Sequence, residues 1–482
     1  MYKPKGWEVA REILTINDNY LVYYDPDIDG AVSGEFVLRL LDKYQKPYMT
    51  HINNNRQHGL KLTFEQISRL KGYTVILVDA GMTREEIKLL VDNGVSVINI
   101  DHHEIEESEL VVEVNKEMKS AGVIINNQYP FEPDNMRFLS GAGMVYYTFN
   151  SIFPSVYGEE EQALVGLTLL SDIRSLDTDL AKQFLFKTYS YTSPYMDYLL
   201  RLTEPSMDFG FGERTFDRNF IDYTFSPKIN ALFRLNKGVE AVQVFRGTYT
   251  DKESLNVYRG VQNAIRDFVI DTLDGEEYSH LGVKYIESWR QPPYNYDVTN
   301  FVGLACSRLT GESGTTFMFV KDDKGNVLRG SVRGKCDDVN YLDIFRRHGF
   351  KAGGHGAAFG VISVDLEKVD FESLNTEIAK AEEGYEERKY MGRVIEVQDM
   401  NFFLQSRNKQ IADYNNYVRD NQRIYLKYTG KKAKREERGK AFIFDLDGQK
   451  ALAFDPEISI ERDLVLPLIE RGKYIQFYMK KY

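Results

Sequence analysis

Cysteine is almost missing from this 482-residue chain: Cys306 and Cys336 are the only two. They cannot make a disulfide framework or a cysteine-ligated zinc cluster, and their scarcity fits a reducing cytoplasm. Nowhere do 18 apolar residues run uninterrupted, so no membrane-spanning helix and no membrane partner are expected. The opening MYKPKGWEVAREIL lacks the charged-then-apolar layout of a signal peptide, which predicts a soluble, cytoplasmic protein. Excess positive charge is lacking too. A net charge of −11 argues against wholesale coating of nucleic acid and leaves room for a local basic groove or a cation site. Internal repeats are absent, and the only biased tract is the charged GKKAKREERGK. What remains is ordinary globular material, 43% hydrophobic and 13% aromatic, enough for several cores and incompatible with disorder as the main state. At about 150 residues per domain the length suggests roughly three domains.

The first 200 residues alternate β-branched apolar runs with amphipathic stretches: NDNYLVYYD, GEFVLRLLDKY, YTVILVDA, TREEIKLLVDNG and VSVINID. Strand followed by helix, repeated, predicts a parallel α/β sheet. Each apolar run is about six residues long and ends in an acidic residue, so carboxylates collect at the carboxyl edge of the sheet, where open α/β sheets build their sites. An irregular stretch rich in Pro, Ser and Tyr from about Tyr191 to Glu213 then leads into a second α/β region. There SLNVYRGVQNAIRDFVIDTL has helical spacing, and GTTFMFVKDD and GVISVDL read as strands. From about Asn401 onward QRIYLKY, KAFIFDLD, KALAFD and KYIQFYMKKY predict a small β-rich module. The boundaries fall at 1–195, 196–392 and 393–482.

Directly after the strand LVYY comes Asp25-Pro26-Asp27-Ile28-Asp29-Gly30. Carboxylates this close raise one another's pKa unless cations sit among them. An acidic turn or a calcium loop would also fit DxDxDG alone, but a helix follows at once, without the closing glutamate of an EF-hand. Further acidic strand ends are expected at Asp79 after YTVILV, at Asp101-His102-His103 after VSVIN, and at Asp172 in LVGLTLLSDIRSLD. Any one of these could be a helix cap. Together, oxygen ligands with a single imidazole per ion favour Mn²⁺ or Mg²⁺ over zinc. Two such ions about 3.5–4 Å apart, sharing a carboxylate and a hydroxide, are suited to hydrolysing phosphate esters.

In order and spacing, Asp25-x-Asp27-x-Asp29-Gly30, Asp79, Asp101-His102-His103 and Asp172 resemble the four motifs of the DHH phosphoesterase superfamily. The resemblance implies Asp25, Asp27 and Asp79 on one ion and Asp29, Asp79, His102 and Asp172 on the other, with Asp79 bridging. It makes His103 the phosphate-facing catalytic histidine, with Asp101 supporting it. Gly353-Gly354-His355 resembles the GGH motif of the DHHA1 domain, and Gly330-Ser331-Val332-Arg333 its GSxR strand, so Ser331, Arg333, Gly353, Gly354 and His355 are implied phosphate contacts.

The segments Leu139–Gly143, Pro227–Ala231 with Arg234-Leu235, and Val302–Leu309 resemble the RecJ branch, and from them Lys228 and Arg234 are candidate backbone contacts. Two departures stand out. SWRQPPYNYDVTNFVG lacks the histidine that usually precedes the GLACSRL-like helix, and Arg174-Ser175-Leu176 replaces the usual proline-leucine after the fourth motif. The implied function is a two-metal exonuclease on single-stranded DNA, 5′→3′, with Mn²⁺ favoured over Mg²⁺, RNA as a possible substrate, and a monomeric state. The alternatives are an oligoribonuclease or cyclic-dinucleotide phosphodiesterase, or a non-catalytic scaffold in a replication or repair complex. Residues 401–482 carry 10 Lys and 7 Arg against 11 Asp plus Glu, a net of +6 that leaves −17 on the other 400 residues. With its interleaved aromatics, this basic module would serve as an OB-like single-strand groove.

Overall fold

The apolar runs at the start of the chain form β1 (Asn19–Tyr24), β2 (Tyr48–Ile52), β3 (Tyr73–Val78), β4 (Ser96–Asp101), β5 (Val112–Asn115) and β6 (Ser120–Asn126). They build one sheet in the order β2-β1-β3-β4-β6-β5, parallel throughout except for β5 on β6. The structure, a computed structural model, describes residues 2–480 except 54–58, 61, 106, 204–215, 337, 386–392, 407, 419–421, 431–433, 439–440 and 471–473. Helices α1 (Trp7–Ile13), α2 (Ile28–Lys43), α3 (Phe64–Arg69), α4 (Arg84–Asp92), α5 (Gly141–Ile152) and α6 (Glu159–Ser171) surround this sheet.

Alternation along the strands separates two cores. Val22, Tyr24, Ile76, Val78, Ile98 and Ile100 face the core shared with α2, α5 and α6, whereas Leu21, Tyr23, Val75, Leu77 and Val97 face the one shared with α3 and α4. Burial on both faces is why these strands read as continuous apolar runs. Register fixes the consequence: Tyr24 pairs with Val78 and Val78 with Ile100, so Asp25, Asp79 and Asp101 follow at the same level of three neighbouring strands.

The fourth acidic position corrects the expectation of a strand end. LVGLTLLS lies in α6, and Asp172 is the residue that caps its C-terminus. The run is apolar all round because α6 is sandwiched between α2, α5 and the helix Asp179–Ser190, and residues 163–170 are all buried. Its true start signal is the preceding EEEQ, where Glu161 reaches back to the Gly158 N–H at 2.8 Å.

The second region holds β7 (Asp274–Glu277), β8 (Leu281–Glu287), β9 (Thr315–Lys321), β10 (Val327–Arg333), β11 (Lys351–His355) and β12 (Ala358–Ser363), in the order β11-β12-β10-β9-β8-β7. Only β8 and β9 are parallel, and the helix Val302–Ser313 lies in the crossover between them. The expected helix over SLNVYRGVQNAIRDFVIDTL is seen at Lys252–Asp271. Part of the irregular stretch after Tyr191 is the helix Pro194–Thr203, and 204–215 lie outside the described residues.

The C-terminal region is a seven-stranded sheet of β13 (Val394–Val397), β14 (Tyr425–Tyr428), β15 (Lys434–Arg438), β16 (Ala441–Leu446), β17 (Gln449–Ala453), β18 (Leu464–Glu470) and β19 (Tyr474–Lys480). Its order, β13-β14-β18-β19-β17-β16-β15, contains no pairing among the described residues that closes it into an OB-like barrel. KREER of the charged tract is the edge strand β15 paired with β16, and charged residues on an edge strand discourage further pairing. Two helices, Met400–Ser406 and Asn408–Tyr417, were not anticipated; the second docks the module through the Tyr189 hydroxyl on the Asn416 carbonyl and stacks Tyr417 on Tyr189. Among the described residues no helix is long and apolar enough to cross a membrane.

Packing of α6 depends on Gly166, where an added Cβ would lie 2.1 Å from Thr188 Oγ1 and 2.4 Å from the Phe184 carbonyl oxygen. Gly166→Ala should therefore destabilise the fold by about 1–3 kcal/mol, seen as a lowered Tm by calorimetry. An unchanged Tm would show that the two helices can separate without cost.

Candidate metal centre

Each acidic side chain reaches the carboxyl edge by a different local device. After β1 the chain turns so that Asp27 caps α2, its Oδ1 accepting the Gly30 N–H at 3.0 Å, and Asp29 enters the first helical turn. Gly30 is required there, since a Cβ would lie 2.3 Å from the Asp25 carbonyl oxygen. Asp79 leaves β3 with φ 57, a left-handed conformation that Asp tolerates, and donates its N–H to the Ile100 carbonyl at 2.9 Å. The first turn of α5 then closes over the cluster. Asp29 accepts the Gly141 and Ala142 N–H groups at 2.6 and 2.9 Å, so a helix N-terminus grips its carboxylate with both its unsatisfied donors and its dipole. A Cβ on Gly141 would come within 2.7 Å of Asp79 Oδ1, so only glycine lets the helix approach this closely.

The centre of the arrangement is His102, 2% exposed. Its Nε2 lies 3.0 Å from Asp79 Oδ1, 3.7 Å from Asp29 Oδ2 and 3.7 Å from Asp172 Oδ2. Asp79 Oδ1 and Asp172 Oδ2 are shielded from solvent and accept no hydrogen bond. Burial pushes the Asp29 carboxyl up to about 6, against the pull of the Ala142 N–H. Burial pushes Asp172 up to about 8 despite Arg174 nearby. Asp79 is driven well above the carboxylate range by burial and then by the charges of Asp29, Asp27, Asp25 and Asp172. Buried anions this close, with acceptor oxygens unused, fit one or more divalent cations, and oxygen donors with an imidazole suit Mn²⁺ or Mg²⁺.

Ligand atoms come together in two overlapping groups, Asp29, His102 and Asp172 in one and Asp79, Asp101, His102 and His103 in the other, each within 4.8 Å. Asp25 and Asp27 occupy the same strand end but join neither group among the described residues. Asp101 accepts from His103 Nδ1 at 2.8 Å. Burial opposes a charge on both, yet the pair outweighs it: Asp101 is held below the usual carboxylate range and His103 is pushed up to about 10.

In the second region Arg333 is held by its own sheet and the neighbouring helix. Nη1 donates to Ser331 Oγ at 2.7 Å and Nε to Ser307 Oγ at 3.0 Å. A Cβ on Gly303 would sit 3.1 Å from Nη2, which places the guanidinium over the N-terminal turn of Val302–Ser313. Gly353 and Gly354 lie on the edge strand β11, Gly354 with φ 136, where an added Cβ would come within 2.9 Å of the Phe359 Cα. His355 ends that strand, and its side chain lies outside the described part.

Lys228 and Arg234 depart from their expected place on the substrate path. Lys228 is buried with Nζ donating to the Thr203 carbonyl at 2.8 Å, and Arg234 donates to Gln262 Oε1 at 2.9 Å, joining two helices. The sequence reading missed the Gly141 and Ala142 amides, Ser307 and Arg346. The first three sit inside segments that it singled out. Arg346 has no local signal: it crosses from the second region to Glu104, next to His103, at 3.3 Å.

Residues 20–170 match the DHH family, N-terminal domain. This chain carries a DHH domain. The chain is similar in structure to RecJ in complex with Mn²⁺ from Thermus thermophilus (TM-score 0.69, 16% identity, 100% of this chain and 71% of that one). RecJ with Mg²⁺ from the same source gives 0.57, 14%, 100% and 70%. An exonuclease RecJ bound to manganese gives 0.54, 17%, 79% and 96%. At these identities the likeness is one of fold. No curated protein sequence matches the chain.

The raised carboxyl pKa values bind protons more tightly in the folded chain than in the unfolded one, so without a cation stability falls as pH rises from about 4 towards 8. A divalent ion replaces those protons. Mn²⁺ at 100 times its Kd should stabilise the DHH domain by about 2.7 kcal/mol, with a larger Tm increase at pH 8 than at pH 5.5. Asp79→Asn should raise the metal-free Tm at pH 8 and lose the Mn²⁺ increment. A full increment in that variant would remove Asp79 from the centre.

Proposed function

We propose that this chain is a metal-dependent exonuclease that hydrolyses phosphodiester bonds of single-stranded DNA, running 5′→3′ and acting as a monomer in the cytoplasm. The observation that carries the reading is the convergence of Asp29, Asp79 and Asp172 on His102 Nε2, with buried acceptor oxygens left unused, in a DHH domain within a RecJ-like fold. Substrate and polarity are what the sequence resemblance to the RecJ branch at Leu139–Gly143, Pro227–Ala231 and Val302–Leu309 implies, and the basic C-terminal module supports a single-strand track.

In this reading Asp25, Asp27 and Asp79 would hold one ion, and Asp29, Asp79, His102 and Asp172 the other, Mn²⁺ before Mg²⁺. Such a pair would supply a water of lowered pKa and neutralise charge on phosphoryl oxygens. The protein supplies the rest. Asp101 keeps His103 protonated near neutral pH, so the imidazolium can donate to a phosphate oxygen or to the leaving oxygen. Arg333, fixed by Ser331 and Ser307, presents a preorganised guanidinium to a second phosphate. In this reading Gly353, Gly354 and His355 complete that grip from the edge strand β11.

The deciding assay compares 5′- and 3′-labelled single-stranded DNA, short RNA and cyclic dinucleotides with Mn²⁺ and Mg²⁺. Single-stranded DNA should be shortened from its 5′ end. Preferential turnover of short RNA or cyclic dinucleotides would favour the oligonucleotide phosphodiesterase, and a folded, metal-binding chain inert on all of them would favour the scaffold. Asp79→Ala should reduce hydrolysis to background. Arg333→Ala should raise KM by roughly 10- to 100-fold, the worth of a charge-assisted hydrogen bond, while keeping the Mn²⁺ increment in Tm. An Arg333→Ala variant with unchanged KM would take this residue off the substrate path.

A further inference from the structure

Next to Asp172 the chain does something that its sequence makes costly. The end of α6 is a tight reversal in which the Ile173 N–H donates to the Leu170 carbonyl at 3.1 Å and the Arg174 N–H to the Leu169 carbonyl at 2.9 Å. This bonding requires the left-handed conformation at its central residue, the place where helices normally put glycine. Here that residue is Ile173, with φ 54. A β-branched side chain is a genuine outlier in that region. Nor is the strain offset by packing, because Ile173 is 76% exposed, the most exposed large hydrophobic residue of the described chain. Arg174 holds the reversal from the other side, its Nη2 donating to the Arg137 carbonyl at 2.7 Å and its Nε lying 3.8 Å from Asp172 Oδ2.

A strained, unpacked isoleucine beside a side chain of the acidic cluster does nothing for the folded protein that glycine would not do better. We infer that Ile173 is a substrate-contacting residue, an apolar ledge on which the base of the nucleotide at the scissile phosphate rests. The inference rests on the nuclease reading and deepens it by naming what the site recognises beyond phosphate. The chemistry fits a nucleotide: bases present flat, weakly hydrated faces that an aliphatic side chain can cover, and the contact discriminates no sequence. Strain of this kind persists where the surrounding structure over-determines it, and it concentrates at ligand sites.

The test uses the full chain with Mn²⁺ and two single-stranded oligonucleotides, one ordinary and one with abasic terminal residues. Wild type should prefer the ordinary strand by about tenfold in kcat/KM, the scale of a modest apolar contact. In Ile173→Gly that preference should shrink to within about twofold through KM, while Tm rises and the Mn²⁺ increment in Tm persists. Ile173→Leu should keep the preference. Full preference in Ile173→Gly overturns the inference, and so does loss of the Mn²⁺ increment in that variant, which would make Ile173 a support for the metal centre. A wild type that binds Mn²⁺ but degrades neither strand marks the separate failure of the nuclease reading, and the ledge falls with it.

Discussion

Electrostatic repulsion among Asp29, Asp79 and Asp172 is the constraint around which the first region is arranged. Three carboxylates within reach of one imidazole nitrogen, Asp29 and Asp79 buried and Asp172 partly so, would drive the loops apart if nothing else held them. The holding is done by covalent position rather than by mutual attraction. β1, β3 and β4 are locked in register inside two apolar cores, so Asp25, Asp79 and Asp101 cannot spread without shearing the sheet. Two glycines allow the remaining approach, Gly30 over the Asp25 backbone and Gly141 against Asp79. The cores supply the driving force, and the site is left with unmet negative charge that a cation can meet.

The second region stands across from this edge. Its contact at Arg346 and Glu104 is partly exposed and so worth little in stability, but it sets the residue after His103 against the tip of the helix Tyr341–Arg347. Behind the site a firmer joint exists. Arg39 binds Glu35, Glu160 and Glu161 while covering the Tyr195 ring, and Arg246 reaches Glu35 and Asp42. This half-buried network ties α2 and α6 to the connecting helices.

The legible parts of the sequence were those whose signal is local. Period, length and punctuation gave β1, β3, β4, α2 and α4, and the acidic residues after the strands gave the cluster itself. α6 was misread because a continuous apolar run carries no period when a helix is buried all round, and only its glutamate-rich first turn distinguished it. Lys228 and Arg234 were misplaced for a different reason. A basic residue in a family-like segment says nothing of whether its charge faces a groove or a buried carbonyl, and here the Thr203 carbonyl and the Gln262 amide, 25 and 28 residues away, decide it. The C-terminal helices were lost in a stretch of Asn, Gln and Tyr with weak propensity, where docking against β18 through Asn415 and Asn416 fixes the helix from outside.

Placing Asp172 on a helix rather than a strand changes the electrostatics of the cluster. Asp29 sits at the N-terminal ends of α2 and α5, where the helix dipoles and two amides favour its negative charge. Asp172 sits at the C-terminal end of α6, where the dipole opposes it and no amide reaches Oδ2. Both carboxyls are raised by burial, Asp29 to about 6 and Asp172 to about 8, and the ordering agrees with the helix ends they occupy. The two ligand candidates that flank His102 are thus unequal before any ion arrives. Asp29 is already compensated and serves as the fixed wall of the site, whereas Asp172, balanced chiefly by Arg174 at 3.8 Å, has more to gain from a cation than Asp29. Arg174, fixed by the Arg137 carbonyl, sets a positive charge close to that carboxylate and offsets part of its burial.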